Sequence, residues 1–210
     1  YSNNKVYALC QEIEFNESKR KFYSIKNTKL LDLSKTSFIL MRQNQPFNMD
    51  YITATFLLEK ISNKTKIFND PSALRNIPEK LYSINFLKLM PPTIFTKNIY
   101  EIEKFRKKYK KIVIKPTHGY GGKNIFFVSK SKNKNKISKY VKKNKHVMVQ
   151  KFLPQIKYGD KRIFIINGMV KGAIKRIPKK GSIVSNLGQG GKAFKTNLSK
   201  KELLIAKTIG

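Results

Sequence analysis

Cysteine is almost absent from this chain of 210 residues: Cys10 stands alone, so an intrachain disulfide is excluded and a reducing, cytoplasmic setting is expected. Its apolar, strand-like neighbours suggest a buried, inert thiol. No apolar run approaches the roughly 18 residues that a membrane span needs, and no signal peptide is visible, so no membrane partner is expected. Acidic residues are scarce, 12 against 45 basic ones, giving a formal net charge of +33. Such a balance points to nucleic acid, but arginine is scarce too: it accounts for six of the 45. Nucleic-acid readers favour the bidentate arginine fork. The abundance of lysine, asparagine and isoleucine follows A/T-rich codon usage, so the lysines read as a solvated surface. Apolar content of 40% argues against a disordered chain.

Residues 111–128 carry the strongest local signal. Two β-branched and aromatic runs, 112–115 and 125–128, flank a turn holding Gly119, Gly121 and Gly122. Lys115 closes the first run and Lys123 the turn. Close-approaching backbone amides beside a fixed ammonium suit polyphosphate. This is not a Walker loop, because no Gly-Lys-Ser/Thr occurs and the glycines lie between two strands. Taken alone, such a hairpin is more often a plain tight turn.

Elsewhere strands are expected at 5–15 and 20–25 around the turn Asn16-Glu17-Ser18, and at 38–41, where the strand should be buried. A helix is expected over 50–61 with Asp50 as its cap, a strand at 66–69, and a helix opened by Asp70-Pro71. Pro91-Pro92 marks a junction, and 98–108 is amphipathic around Ile99, Ile102 and Phe105. Segment 130–145 reads as a solvated loop and helix around Ile137, Tyr140 and Val141. Strands follow at 146–150 and 161–167, the latter answered by 169–177 across Asn167-Gly168, a strong hairpin signal. Segment 178–192 has four glycines and should be a mobile loop. Ser199-Lys-Lys-Glu202 is a capping box for a last helix that offers Leu203, Leu204, Ala206 and Ile209 to the core.

Seven motifs then occur in order: Met-Arg-Gln-Asn-Gln-Pro-Phe (41–47), Glu-Lys-Leu (79–81), Ile-Lys-Pro-Thr-His-Gly-Tyr-Gly-Gly (114–122), Val-Gln-Lys-Phe-Leu-Pro (149–154), Gly-Asp-Lys-Arg (159–162), Lys-Arg-Ile-Pro (175–178) and Asn-Leu-Gly-Gln-Gly-Gly (186–191). The series resembles bacterial glutathione synthetase, an ATP-grasp ligase, over essentially the whole chain. The resemblance implies an α/β (α+β ATP-grasp) fold: a substrate domain at 1–76, a central lid subdomain at 77–153 and a C-terminal ATP-grasp subdomain at 154–210. It implies ATP as cofactor, its phosphates met by Lys80 and Lys115 under the turn Gly119, Tyr120, Gly121 and Gly122. Adenine would be read through the backbone of Gln150, Lys151, Phe152 and Leu153, and the ribose by Asp160. Arg162 and Arg176, the only arginines after Arg106, would face a phosphate or acyl phosphate. Asn186, Leu187, Gly190 and Gly191 would close over the intermediate and the peptide substrate, and Arg42 could meet a substrate carboxylate. The implied reaction joins glycine to γ-glutamylcysteine, in a homo-oligomer, tetramer or dimer.

The chain departs from the family pattern at Asn44 and Gln45, and at Val184 or a neighbour, where an arginine is usual. After Glu103 the only carboxylates are Asp160 and Glu202. No pair is left for Mg²⁺ (or Mn²⁺), whose ligands are expected beyond residue 210. The start at Tyr1 and the stop at Gly210 suggest a fragment, missing its first strand–helix elements and expected to be inactive by itself. The alternatives are another ATP-grasp carboxylate–amine ligase, such as one adding glutamate to a protein or peptide, and a basic nucleic-acid-binding module.

Overall fold

In the computed structural model, which describes residues 1–17, 22–129 and 134–210, the chain forms two compact units, Tyr1–Pro78 and Glu79–Gly210. The expected turn residue Ser18, the strand start at Arg20 and the first part of the lysine-rich run lie outside the described residues.

The first unit opens with an antiparallel ribbon of β1 (Tyr7–Phe15) and β2 (Tyr23–Asp32), whose register slips between Gln11 and Ile13. Cross-strand pairs Glu14–Lys26 at 3.0 Å and Glu12–Lys29 at 2.6 Å lie on its charged side. Cys10 on this ribbon is half-buried rather than buried, because the side chains around it stay open to solvent. Then β3 (Phe38–Leu40) pairs in parallel with β4 (Lys66–Phe68) around α1 (Met49–Glu59). The expectation of a buried β3 fails. Phe38 and Leu40 are exposed, since only β4 pairs with β3 among the described residues, and burial begins at Met41. Asp50 is not the cap of α1 either. Asn48 caps it, its Oδ1 accepting from the Tyr51 amide at 3.0 Å, and Asp50 sits in the first turn. Asp70 caps α2 (Pro71–Asn76), with Pro71 at the start of the helix as expected. Arg75 of α2 ties the two helices: its guanidinium donates to Glu59 Oε2 at 2.8 Å and to Thr55 Oγ1 at 3.2 Å, and lies 3.8 Å above the Phe56 ring.

The second unit begins with the short α3 (Glu79–Tyr82) and is built on an antiparallel sheet in the order β5 (Thr93–Thr96), β8 (Val147–Lys151), β6 (Ile112–Pro116), β7 (Phe126–Val128). Strand alternation divides its residues between two faces. Ile112 and Ile114 of β6, with Val147 and Val149 of β8, join Ile102 and Phe105 of α4 (Ile99–Tyr109) and Ile137 and Val141 of α5 (Lys134–Asn144) in one closed core. Intervening residues Val113, Lys115 and Gln150 fall on the opposite face. That split places the site. Tyr140 of α5 seals the near edge, its hydroxyl donating to the Asn124 carbonyl, and burial pushes its phenol up to about 12.

A second antiparallel sheet runs β11 (Lys192–Lys195), β10 (Met169–Ile177), β9 (Asp160–Ile166). Its hairpin turns at Asn167-Gly168, both with positive φ as a type I′ turn demands. Segment 178–192 is a loop, as expected, with local structure at its end. It holds a 3-10 turn at Leu187–Gln189 and runs into β11, whose backbone pairs with β10. The capping box of α6 (Lys200–Ile209) forms as expected. Of the four apolar residues assigned to the core, however, only Ala206 is buried; Leu203, Leu204 and Ile209 are exposed, for α6 meets its neighbours through one narrow stripe.

Candidate functional site

Two adjoining cavities of the second unit share Lys115, Ile125 and Asn186. The larger in apolar character has a volume of about 260 Å³. Its walls come from the strand end and hinge, Gln150 to Leu153, from Val113, Ile125 and Ile156, and from residues 183–186. The other, about 210 Å³, is polar: Glu79, Lys80, Lys115, the turn Gly119 to Lys123, Arg162 and Asn186 line it. Lys115 stands at the junction. An apolar slot opening through a lysine into a polar, glycine-walled pocket has the form of a site for a planar base followed by phosphates.

The cationic side is built from three elements. The Lys80 ammonium of α3 donates to the Gly119 carbonyl, tying the helix to the glycine-rich turn. Lys115, at the end of β6, donates to Gln150 Oε1 at 2.6 Å. Desolvation lowers the pKa of both lysines, and Lys80 depresses Lys115 further through charge repulsion. Two half-buried ammoniums converging on one pocket are an unfavourable arrangement that an incoming polyanion relieves. Lys123, by contrast, is exposed, its Nζ lying 5.4 Å from the Tyr120 ring.

The turn is closed from across the unit. Gly122 has φ of +74°, and a methyl group built there would strike Val184 Cγ1 and come within 2.9 Å of Asn186 Oδ1. Val184 therefore packs on the glycine turn as an apolar contact. Next to it Ser185 is buried, its hydroxyl without a hydrogen-bond partner among the described residues. Gly191 allows the same loop to turn tightly, since a side chain there would run into the Ser185 carbonyl.

The two late arginines part company. Arg162 lines the polar pocket and forms no ion pair with any described residue. Arg176 lies opposite Asp160 in the β9–β10 register and grips it with two hydrogen bonds, Nε to Oδ1 at 2.7 Å and Nη2 to Oδ2 at 2.8 Å. The family resemblance implies a ligand for each, a ribose for Asp160 and a phosphate for Arg176. Here each occupies the other, although Asp160 still lines the apolar cavity and its oxygens keep further lone pairs.

Among the remaining candidates, Asn186 lines both cavities. Leu187 is exposed, and Gly190 borders a separate hollow with Lys179 and Phe194. In the first unit Arg42 lines a cavity of about 370 Å³ together with Asn44, Gln45 and Tyr51. Among the described residues no three His, Cys, Asp or Glu side chains gather as a metal centre.

Sequence reasoning missed Thr93, Ile156, Ile183 and Ser185. Thr93 follows the Pro91-Pro92 junction and sits opposite Gln150 in β8, a pairing that only the strand register reveals.

Solved structures share this architecture at low identity. The D-cycloserine synthetase DcsG superposes with a TM-score of 0.62 at 15% identity over 84% of this chain and 65% of its own. An ATP-grasp ligase of Chryseobacterium gregarium, solved with ADP and a leader and core peptide, gives 0.61 at 16% identity over 100% and 70%. The fold with its paired cavities is that of an ATP-grasp ligase. Family models sharpen this: the prokaryotic glutathione synthetase N-terminal domain matches residues 1–75 and its ATP-grasp domain residues 79–210. The chain belongs to the prokaryotic glutathione synthetase family. It is 38% identical to the glutathione synthetase of Mesorhizobium japonicum over 99% of this chain and 67% of that protein. Against the glutathione synthetase of Buchnera aphidicola the figures are 36%, 98% and 66%. The chain thus spans about two thirds of the length of these relatives.

Proposed function

We propose that the enzyme joins glycine to γ-glutamylcysteine at the expense of ATP, giving glutathione, ADP and phosphate. The observation that carries this most is the pair of cavities meeting at Lys115, in a chain that matches both domains of the family. The dipeptide carboxylate attacks the γ-phosphorus and ADP departs. The glycine amine then attacks the acyl carbon of the acyl phosphate, losing a proton as inorganic phosphate leaves. The protein's part is positioning and charge stabilisation. Lys80 and Lys115 neutralise phosphate oxygens, and the backbone of Gly119 to Gly122 covers them. The hinge, Gln150 to Leu153, offers backbone groups to the base, and Asp160, braced by Arg176, accepts from the ribose. Arg162 is the free guanidinium for the transferred phosphoryl group. The loop at Asn186 to Gly191 shields the acyl phosphate from water, and Arg42 meets a substrate carboxylate. Mg²⁺ or Mn²⁺ is proposed to enter with the nucleotide and to take its protein ligands outside the described residues. The division into subdomains at residue 154, a homo-oligomeric state and a cytoplasmic location belong to the same proposal. No helix is long and apolar enough to cross a membrane among the described residues.

The test, on the full-length parent protein, is ADP release from ATP with glycine and a panel of dipeptides. Strong stimulation by γ-glutamylcysteine is expected. Equal stimulation by γ-glutamyl dipeptides lacking the thiol would point to another carboxylate–amine ligase, and no stimulation by any of them would reject the assignment.

A further inference from the structure

Lys115 is the terminus of a hydrogen-bond chain that reaches across three strands. Its ammonium donates to Gln150 Oε1 at 2.6 Å. The amide of Gln150 donates in turn through Nε2 to Thr93 Oγ1 at 3.0 Å. Thr93 passes its own proton to the Pro91 carbonyl at 2.6 Å. Gln150 is buried, 7% exposed. The register explains the contacts. Thr93 stands directly opposite Gln150, while Lys115 is its diagonal neighbour, since Val113 pairs with Gln150 and Lys115 with Met148.

The direction of the chain carries the inference. The two ends of a glutamine amide have nearly the same shape and opposite polarity. The Thr93 hydroxyl has committed its proton to Pro91, so it presents a lone pair and selects the NH₂ end. The carbonyl end is thereby turned to the lysine. A flipped amide would point N–H at an ammonium and leave that half-buried cation facing a donor. All three links are polarised in one sense, which strengthens each.

We propose that Gln150 and Thr93 are positioning residues for Lys115: Thr93 fixes the amide orientation of Gln150, and the Gln150 carbonyl oxygen aims the Lys115 ammonium at the junction of the two cavities. The assignment rests on the reading of Lys115 as a phosphate-binding lysine. It departs from a role for Gln150 through its backbone alone, and it gives Thr93 a function two strands from Lys115. A glutamate at position 150 has two equivalent acceptor oxygens, so it faces the lysine correctly whichever way it turns. The hydroxyl should therefore matter beside glutamine and be dispensable beside glutamate. Simple packing by Thr93 would show no such dependence.

The experiment is a double-mutant cycle in the enzyme, reading kcat and KM for ATP, with thermal melts to confirm folding. Thr93→Val should lower kcat/KM for ATP about tenfold, the scale of one lost hydrogen bond to a charged group. Thr93→Ser should retain nearly all of it. In the Gln150→Glu background, Thr93→Val should change it less than about twofold. Equal effects of Thr93→Val in both backgrounds, or equal effects of Val and Ser, would overturn the inference. Lys115→Ala separates it from the reading beneath it. If Lys115→Ala raises the KM for ATP while Thr93→Val is silent, positioning fails alone; if Lys115→Ala is silent too, the phosphate role fails with it.

Discussion

The two sheets of the second unit serve the same cavities by different means. In the four-stranded sheet, β6 and β8 are buried along nearly their whole length, and their outward residues Lys115 and Gln150 stand on a backbone fixed by the core beneath. In the three-stranded sheet, Phe164, Ile166, Met169 and Phe194 are exposed, and order rests on polar ties, Asp160 with Arg176 and Lys161 with Glu202. One half of the site is held by packing and the other by charge. Packing fixes a strand to within a rotamer, whereas ion pairs within reach of solvent respond to salt.

The largest effect that can break this contrast is in the core. Ile114→Ala should lower the unfolding free energy by about 2–5 kcal/mol, because Ile114 is fully buried and its loss leaves a cavity. Ile166→Ala, in the open sheet and 57% exposed, should cost less than about 1 kcal/mol. Urea titration monitored by circular dichroism compares them, and equal losses would mean that the second sheet is as tightly packed as the first.

Next come the lysines. Lys115→Ala should lower kcat/KM for ATP by about 2–4 kcal/mol, comparable to removing a charge-stabilising donor. Lys123→Ala should cost less than about 1 kcal/mol, since that side chain is exposed. Small and equal effects would reduce the glycine-rich hairpin to a turn.

A smaller effect separates the arginines. Arg176→Lys breaks the two-pronged grip on Asp160 but keeps the charge, and should reduce ATP affinity roughly three- to tenfold by loosening one wall of the apolar cavity. Arg162→Lys should spare ATP affinity and instead lower kcat, because Arg162 has no partner to release among the described residues. A fall in kcat alone for both would place Arg176 at the reacting phosphoryl group after all.

The smallest effect is a pH dependence. Hydrogen bonds from Lys161 and from Ser199 hold the Glu202 carboxyl down at about 2. Between that value and the ordinary carboxylate value, the unfolded chain binds more protons than the folded one. The contribution is therefore complete above about pH 4.5 and fades as pH falls toward 2. Glu202→Gln should flatten that part of a melting-temperature profile, and an unchanged acid slope would show that α6 does not depend on its capping box.

Much of this was legible in the residues. The hairpin at Asn167-Gly168, the capping box at Ser199 and the glycine turn between two strands are local chemistry, written in a few neighbouring positions. The lysine at the end of β6 follows from alternation, because apolar Ile112 and Ile114 must face the core. Long-range partners were not legible. That Arg176 would take Asp160, or that Thr93 would orient Gln150, depends on strand register, and a slip of one residue would face those side chains the other way. Exposure misled where neighbours are few: Phe38 and Leu40 look like core residues until the sheet is seen to hold two described strands.

ATP protection of lysines from trace acetylation, read by mass spectrometry on the enzyme, is the most direct test that the nucleotide spans the two cavities through Lys115. Saturating ATP should slow modification of Lys115 and Lys80 roughly tenfold or more, as mass action requires of buried contacts, and leave Lys123 and the lysines of α5 at their free rates. Protection of Lys123 and α5 with Lys115 and Lys80 untouched would contradict the account.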